Sequence, residues 1–403
     1  MLPRTRFPFF SGDYTEKFLH EAVLELKSGL SRMFSDSDIG LPVIRSNNIK
    51  DYCLDFNDLK YWFDEDTQGA KTSNYHLLDG DILVNFINSQ AQIGKSAIYQ
   101  NVLKRDCIYT TNILSLRINK EYSSRFIFFF FQTKKYNDFI QSITKPAVNQ
   151  ASFTTKDFRK MKIFFPNFTE QTKIADFLSS VDEKITLLNK QYELLCQYKK
   201  GMMQKIFSQE FRLKDKDGKD FPKWDNKRMG SLISEYKCKT TKENEWPVMT
   251  SSRSGLVLQR EYYGENRLTE RSNIGFNIIP CDYLTYRSRS DDGLFFFNQN
   301  KLNITGCISV YYPVFKFKYG NNYFYTTMFN YYKNLFRAYA VGSSQLVLSI
   351  TDLKEMKFLI PSPDEQMKIS EFISAIDKRI DTAKSTLEKL KTWKQGLLQQ
   401  MFV

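Results

Sequence analysis

From Ile174 onward the apolar residues fall at alternating steps of four and three. They are Ile174, Leu178, Val181, Ile185, Leu188, Tyr192 and Leu195, then Met202 and Ile206, with one lysine, Lys199, inside the series. The rhythm returns from Ile369 through Ile373, Ile376, Ile380, Ala383, Leu387 and Leu390 to Leu397 and Met401, again with one lysine, Lys394. A 4,3 alternation held this long lines one seam of a helix and predicts two long coiled-coil helices. The residues expected to pair them are Leu178, Val181, Ile185, Leu188 and Leu195 on one helix, and Ile373, Ile376, Ile380, Leu387 and Leu390 on the other. The two lysines admit two readings: side chains that snorkel near the end of a seam, or polar seam positions that set the pairing register.

Each seam belongs to a longer repeat. Asp157 to Phe207 superposes without a gap on Asp352 to Phe402 at a constant offset of 195 residues, matching Pro166 with Pro361, Glu170-Gln171 with Glu365-Gln366, and Asp182 with Asp377. A period this long with two copies is a duplication rather than a solenoid. In each copy a short apolar run, Lys162–Phe165 or Lys357–Ile360, stops at a proline, which predicts a strand and a turn. A helix start follows, with Asn167 or Ser362 as N-cap and Glu170 or Glu365 at the third helical position, the pattern of a capping box. Roughly 40 residues of helix extend about 60 Å. A chain that leaves its first globular part along one such helix and returns along the other places the two helices antiparallel, with a globular domain at each end and an approximate two-fold relation between them.

The globular parts mix both periodicities, so the expected class is α+β. A strand then a polar turn is predicted at Gly40–Asp51, a turn then a strand at Leu77–Ser89, strands at Thr110–Ile118, Asp282–Gly293 and Cys307–Phe317, and helices at Ser123–Ile143 and Asn322–Val341. Residues 208–222 form a charged linker. The greasiest run, Phe126–Phe131, is far too short to span a bilayer and predicts buried core.

Charge narrows the function. The chain of 403 residues carries a formal net charge of +13 and is 15% aromatic. Such a balance points to a polyanionic partner. Six cysteines stand singly, with no C-x-x-C pair, which fits reduced thiols in the cytoplasm rather than a zinc site or disulfide framework. With only His20 and His76, a Ser-His or Cys-His nucleophile has little support. Ile93-Gly94-Lys95-Ser96 ends like a phosphate-binding loop but has Ser89 where the first glycine is required. A tight turn between strands is the expectation. No Gly-rich cofactor loop and no Asn-Pro-Pro-Tyr motif is present, so the chain is expected to be no enzyme and to hold no metal and no cofactor.

Recognition remains. Reading DNA takes Lys and Arg for phosphates and Arg, Asn, Gln or Ser for base edges. In the predicted turns of the first half these are Arg32, Arg45, Asn47, Asn48, Asn88, Gln90, Lys95, Lys145, Asn149 and Gln150. In the second half they are Arg253, Arg260, Arg271, Arg287, Arg289, Ser344 and Gln345.

The doubled pattern P-x-x-x-E-Q-x-K-I-x-x-F-(L/I)-S-x-(V/I)-D-x-(K/R)-I resembles the specificity subunit of type I restriction–modification enzymes. So do the flanking GLPVIRSNNI, LLDGDILVNF and IGKSA segments, and the resemblance covers essentially the whole chain. It implies a target recognition domain at 1–153, a conserved region with its long helix at 154–210, a second target recognition domain at 211–348, and a second conserved region and helix at 349–403. It further implies a non-catalytic, cytoplasmic, double-stranded DNA-binding subunit. Each recognition domain would read one half of a bipartite site, and the helices would set the gap and dock two methyltransferase subunits. S-adenosylmethionine, ATP and Mg would act in the methyltransferase and motor–nuclease partners, none in this chain, and no membrane is involved. The reading that competes is a coiled-coil scaffold that binds no DNA. It explains the helices but neither the charge nor the two α+β heads.

Overall fold

Two long helices dominate the secondary structure, Phe168–Phe207 of 40 residues and Pro363–Met401 of 39. The computed structural model describes residues 2–146, 150–253, 255–264 and 272–403. The chain divides into two compact units, 1–190 with 384–403 and 191–383, so each long helix contributes to both.

In the first unit the start of the first helix (Ile174, Leu178) shares one apolar cluster with the end of the second (Leu397, Met401, Phe402). In the second unit the end of the first helix (Ile206, Phe207) clusters with the start of the second (Ile369, Ile373). Within each unit, then, the two segments run antiparallel. The predicted seam positions are buried or half-buried along both helices, while intervening positions such as Leu187 and Leu194 are exposed.

The lysines of the seams are ion-paired. Lys394, only 8% exposed, places Nζ 2.6 Å from Asp182 Oδ1 and donates to Gln132 Oε1 at 2.8 Å. Lys199 lies 2.5 Å from Asp377 Oδ1, and Asp377 Oδ2 accepts from the Tyr323 hydroxyl at 2.5 Å. Lys199 and Lys394 are repeat equivalents, as are Asp182 and Asp377. Each pair therefore joins the lysine of one copy to the aspartate of the other.

Both units are built on one sheet plan. In the first, strands β1 (Val23–Ser28), β2 (Ile82–Asn85), β3 (Ser96–Ile98) and β4 (Ile113–Ile118) form an antiparallel sheet ordered β1-β4-β2-β3. In the second, β5 (Ile233–Glu235), β6 (Leu284–Tyr286), β7 (Phe297–Gln299) and β8 (Val314–Phe317) are ordered β5-β8-β6-β7, also antiparallel. The strand before each long helix pairs with a strand far upstream, Lys162–Phe165 with Thr15–Phe18 and Lys357–Ile360 with Asp225–Arg228. The Phe126–Phe131 run is buried as expected. Its rings pack with Phe165 and Phe402, Phe126 lying 4.8 Å from Phe402 between centroids.

Several expectations need correction. The helix expected over Asn322–Val341 ends at Tyr331 and is followed by a separate 3-10 turn, Leu335–Tyr339. The strand expected over Asp282–Gly293 is two short strands, Leu284–Tyr286 and Arg289–Ser290. The Ser123–Ile143 helix is two helices, Ser124–Phe130 and Lys134–Ile143, because Thr133 turns to cap the second by accepting from Tyr136 N. The strand expected over Cys307–Phe317 is broken into Gly306–Ile308 and Val314–Phe317 around a turn closed by Tyr312 N–H on Ser309 O, ahead of Pro313. The capping boxes form by half. Asn167 and Ser362 do accept from the N–H groups of Glu170 and Glu365. The glutamates do not reach back to the caps. Glu170, fully buried, takes a two-pronged bond from Arg6 (2.8 and 2.7 Å) and one from Tyr14 OH (3.0 Å). Glu365 takes the same from Arg212 (3.1 and 2.6 Å) and from Trp224 Nε1 (3.1 Å). Beside them, Gln171 accepts from Ser123 N and donates to Pro166 O, and Gln366 accepts from Asn321 N and donates to Pro361 O. The Glu-Gln of the repeat thus ties the start of each long helix to the globular part around it.

The Gly94 segment is the tight turn that was expected. Gly94 has φ of +77°, and a Cβ there would lie 2.6 Å from the Ile140 side chain. Its carbonyl accepts from the buried Tyr136 hydroxyl at 2.6 Å.

Candidate nucleic-acid interface

In the first unit the candidate residues fall into two neighbouring groups. One surrounds an open groove of about 400 Å³ lined by Arg32, Arg45, Asn47 and the Thr110–Asn112 turn. Arg32 is held by a two-pronged bond to the buried carboxylate of Asp66 (2.9 and 2.6 Å), and this guanidinium holds the Asp66 carboxyl well below the usual carboxylate range. Arg45 pairs with Asp58 at 2.9 Å, and Asn47 donates to the same carboxylate at 3.3 Å. Asn48 is 1% exposed and acts as scaffold. It accepts from Arg45 N and donates to the carbonyls of Asp55 and Asp58, closing the turn that follows Leu41–Ile44.

The second group sits on a three-stranded ribbon, Lys145–Pro146 beside Ala151–Ser152 beside Ile87–Asn88. This ribbon gathers Asn88, Lys145 and Gln150, with Gln90 and Lys95 on the turn that leads away from it. Lys145 and Gln150 are exposed. Gln90 donates to Gln141 at 2.8 Å, and Asn88 Oδ1 accepts from Ser89 N. Asn149 lies outside the described residues. The two groups adjoin: Asn85 donates to Ser46 O, and Phe86 N–H reaches Asn112 O.

In the second unit the ribbon has its counterpart. Arg289–Ser290 pairs with Leu346–Val347, and at the repeat offset Leu346 and Val347 are the equivalents of Ala151 and Ser152. Arg289 therefore stands where the first unit has Ile87. A groove of about 550 Å³ opens beside this pair and brings Arg253, Arg287 and Arg289 together. Gln345 donates to Asp291 Oδ1 at 2.8 Å, which fixes the loop carrying the exposed Ser344 to the groove wall. Arg253 is paired with Asp292 and lies over the Phe296 ring, and Arg289 lies 4.1 Å over Tyr311. The backbone N–H of Leu294, helped by Ser290 and Arg253, lowers the Asp292 carboxyl to about 2, so it is ionised at neutral pH. Arg260 is exposed on the short helix Gln259–Tyr263, whose last two residues line the groove. Arg271 lies outside the described residues.

Reading the sequence for polar residues in turns missed the groove's other half, the aromatic wall of Tyr262, Tyr263, Phe296 and Tyr312 and the acids Asp291 and Asp292. The signal for them was faint, because the chain holds 35 Phe and 23 Tyr and most serve the cores. Aromatic faces beside guanidinium groups suit stacking on bases and cation–π contact. Among the described residues no group of three or more His, Cys, Asp or Glu is placed to hold a metal ion, and no helix is long and apolar enough to cross a membrane.

Comparison with known proteins settles the family. The model of the type I restriction modification DNA specificity domain matches twice, over residues 39–197 and 222–392. The chain belongs to that family. Each match takes in most of one globular part and most of the long helix that follows it. Members are DNA-recognition components with no catalytic centre of their own. A protein of Methanocaldococcus jannaschii named as the MjaX type I restriction enzyme specificity subunit is 26% identical, covering 96% of this chain and 92% of its own. The EcoKI specificity subunit of Escherichia coli is 21% identical over 49% of this chain and 42% of its own. The crystal structure of the type I restriction–modification S subunit from M. genitalium shares the fold, with a TM-score of 0.62 at 15% identity over 100% of this chain and 99% of that one.

Proposed function

We propose that this chain is the specificity subunit of a type I restriction–modification complex and reads a split site in double-stranded DNA, one half with each unit. The observation that carries this reading is the pair of equivalent ribbons. They hang from sheets of identical strand order but present different side chains, Ile87 and Asn88 in one and Arg289 and Ser290 in the other. A shared frame with unlike contact surfaces suits two unlike half-sites. The net charge of +13 supplies the sequence-independent attraction to phosphate. On this reading the long helices set the gap between half-sites and, with the globular parts, receive two methyltransferase subunits. Those subunits methylate adenine with S-adenosylmethionine. Motor–nuclease subunits bring ATP and Mg, and the whole acts in the cytoplasm.

Replacing residues 223–345 by the corresponding stretch of another family member tests it. Methylated adenines mapped in cells carrying the hybrid and its methyltransferase should show one half-site changed and the other retained. A change in both halves would count against separate reading by the two units.

A further inference from the structure

The arginines that face the two grooves differ in what they are free to do. Arg32 and Arg45 are bound to Asp66 and Asp58. In the second unit Arg253 is bound to Asp292, and Arg289 lies over Tyr311. Arg287 is exposed in the groove and makes no hydrogen bond or ion pair among the described residues.

Its backbone, by contrast, is fixed on both sides. Tyr286 is fully buried and donates its hydroxyl to Leu348 O at 3.1 Å. Ser288 donates both its N–H (3.0 Å) and its hydroxyl (2.7 Å) to Tyr311 O, and accepts from Leu348 N at 2.9 Å. The anchored backbone fixes where the side chain starts, and its rigid planar fork loses less entropy per hydrogen bond formed than a flexible head would, while the free stem must still be ordered on binding.

The groove's charge pattern says what the fork meets. Arg287 shares the cavity with the carboxylates of Asp291 and Asp292. A phosphate entering there would face two like charges, which offset the attraction of Arg253 and Arg289 in the same groove. A base edge carries no net charge. Guanine presents O6 and N7 as paired acceptors in the major groove, the commonest specific target of arginine, and its cytosine partner presents an N4 donor that suits a nearby carboxylate.

We propose that Arg287 reads a guanine in the half-site bound by the second unit, its guanidinium donating to O6 and N7 in the major groove. This rests on the reading of that unit as a half-site reader.

The test compares the chain with Arg287→Ala and Arg287→Lys, each assembled with its methyltransferase, on a randomised DNA library scored for bound and methylated sequences. The unaltered chain should require a G·C pair at one position of the half-site assigned to residues 223–345. Both variants should lose discrimination at that position alone, by about five- to 150-fold. Lysine should lose less than alanine, because its ammonium can still donate to O6 and N7 but without the planar fork. Preferences in the other half-site should persist in both, which also reports a folded assembly. The inference is overturned if Arg287→Ala keeps the full base preference. It is also overturned if affinity falls uniformly over all sequences with a shallower salt dependence, the mark of a phosphate contact. Loss of all binding overturns it too, since one base contact does not carry the non-specific attraction. A split site with no required G·C pair in the second half would sink this inference and leave the proposed function standing. No split site at all would sink both.

Discussion

The most telling residues are not in the grooves. Glu170 was legible as a helix-start signal, and its backbone does occupy the capped position. Its side chain serves another purpose, because Arg6 lies 164 residues upstream in sequence and no local pattern announces that pairing. The carboxylate is buried, so its charge must be neutralised where it stands. Its hydrogen bond in turn raises the Arg6 pKa, and burial pushes the Tyr14 phenol up. Arg6→Ala would leave that charge uncompensated and should destabilise the first unit by about 3–5 kcal/mol. Tyr14→Phe keeps the ring and removes one donor to a charged group, so it should cost about 1.5–3 kcal/mol. Urea unfolding of both variants checks the order, and a Tyr14→Phe loss at or above that of Arg6→Ala would show that the ion pair is not the anchor. For the proposed DNA contacts, sequence conveys residue type but not availability. Arg32 and Arg287 look alike in sequence, yet only the fold reveals that Asp66 occupies the first and that nothing described binds the second.

At the scale of elements, periodicity was the dependable guide. The seams emerge as drawn because a 4,3 rhythm over 40 residues has no competing interpretation, whereas a strand of three to six residues is decided by its neighbours. Pro313 divides one expected strand, and Thr133 turns one expected helix into two. The lysines in the seams could not be assigned from spacing, since snorkelling and register-setting predict the same position. Their partners decide it. Lys394 reaches Asp182 across the helix pair while nearly excluded from solvent, so sliding one helix would strand a buried ammonium. Lys394→Asp should therefore destabilise the chain, and Lys394→Asp with Asp182→Lys should recover part of the loss. The coupling expected from a double-mutant cycle is about 0.5–3 kcal/mol. Additive losses would show that the pair does not contribute to register.

At the scale of the whole molecule, the two ion pairs define where length can be added. Asp182 precedes Leu188 and Lys199 follows it on the first helix. Asp377 precedes Ala383 and Lys394 follows it on the second. Seven residues inserted after Leu188 and seven after Ala383 therefore leave both pairs in register and lengthen each helix by about 10 Å. On the proposed reading this widens the gap by roughly three base pairs at about 3.4 Å each. It also turns one half-site about a third of the way around the duplex, so modification should be weaker. Methylation of DNA carrying fixed half-sites and variable gaps measures the preferred spacing. A preference that stays put in a folded double insertion would remove the helices as the ruler. An insertion in one helix alone should break the register of an ion pair and lower stability.

The reciprocal pairs have a consequence for what can be read. Two identical chains joined through such an interface would be bound by symmetry to present the same surface twice, and so to a palindromic target. Here both copies lie on one chain, and the copies have already drifted apart. Lys394 also engages Gln132, whereas Asp377 also engages Tyr323. A substitution in one groove has no echo in the other. On the proposed reading, covalent duplication keeps the assembly logic of a dimer while releasing the chain from the palindrome, so that each half-site could change one base at a time.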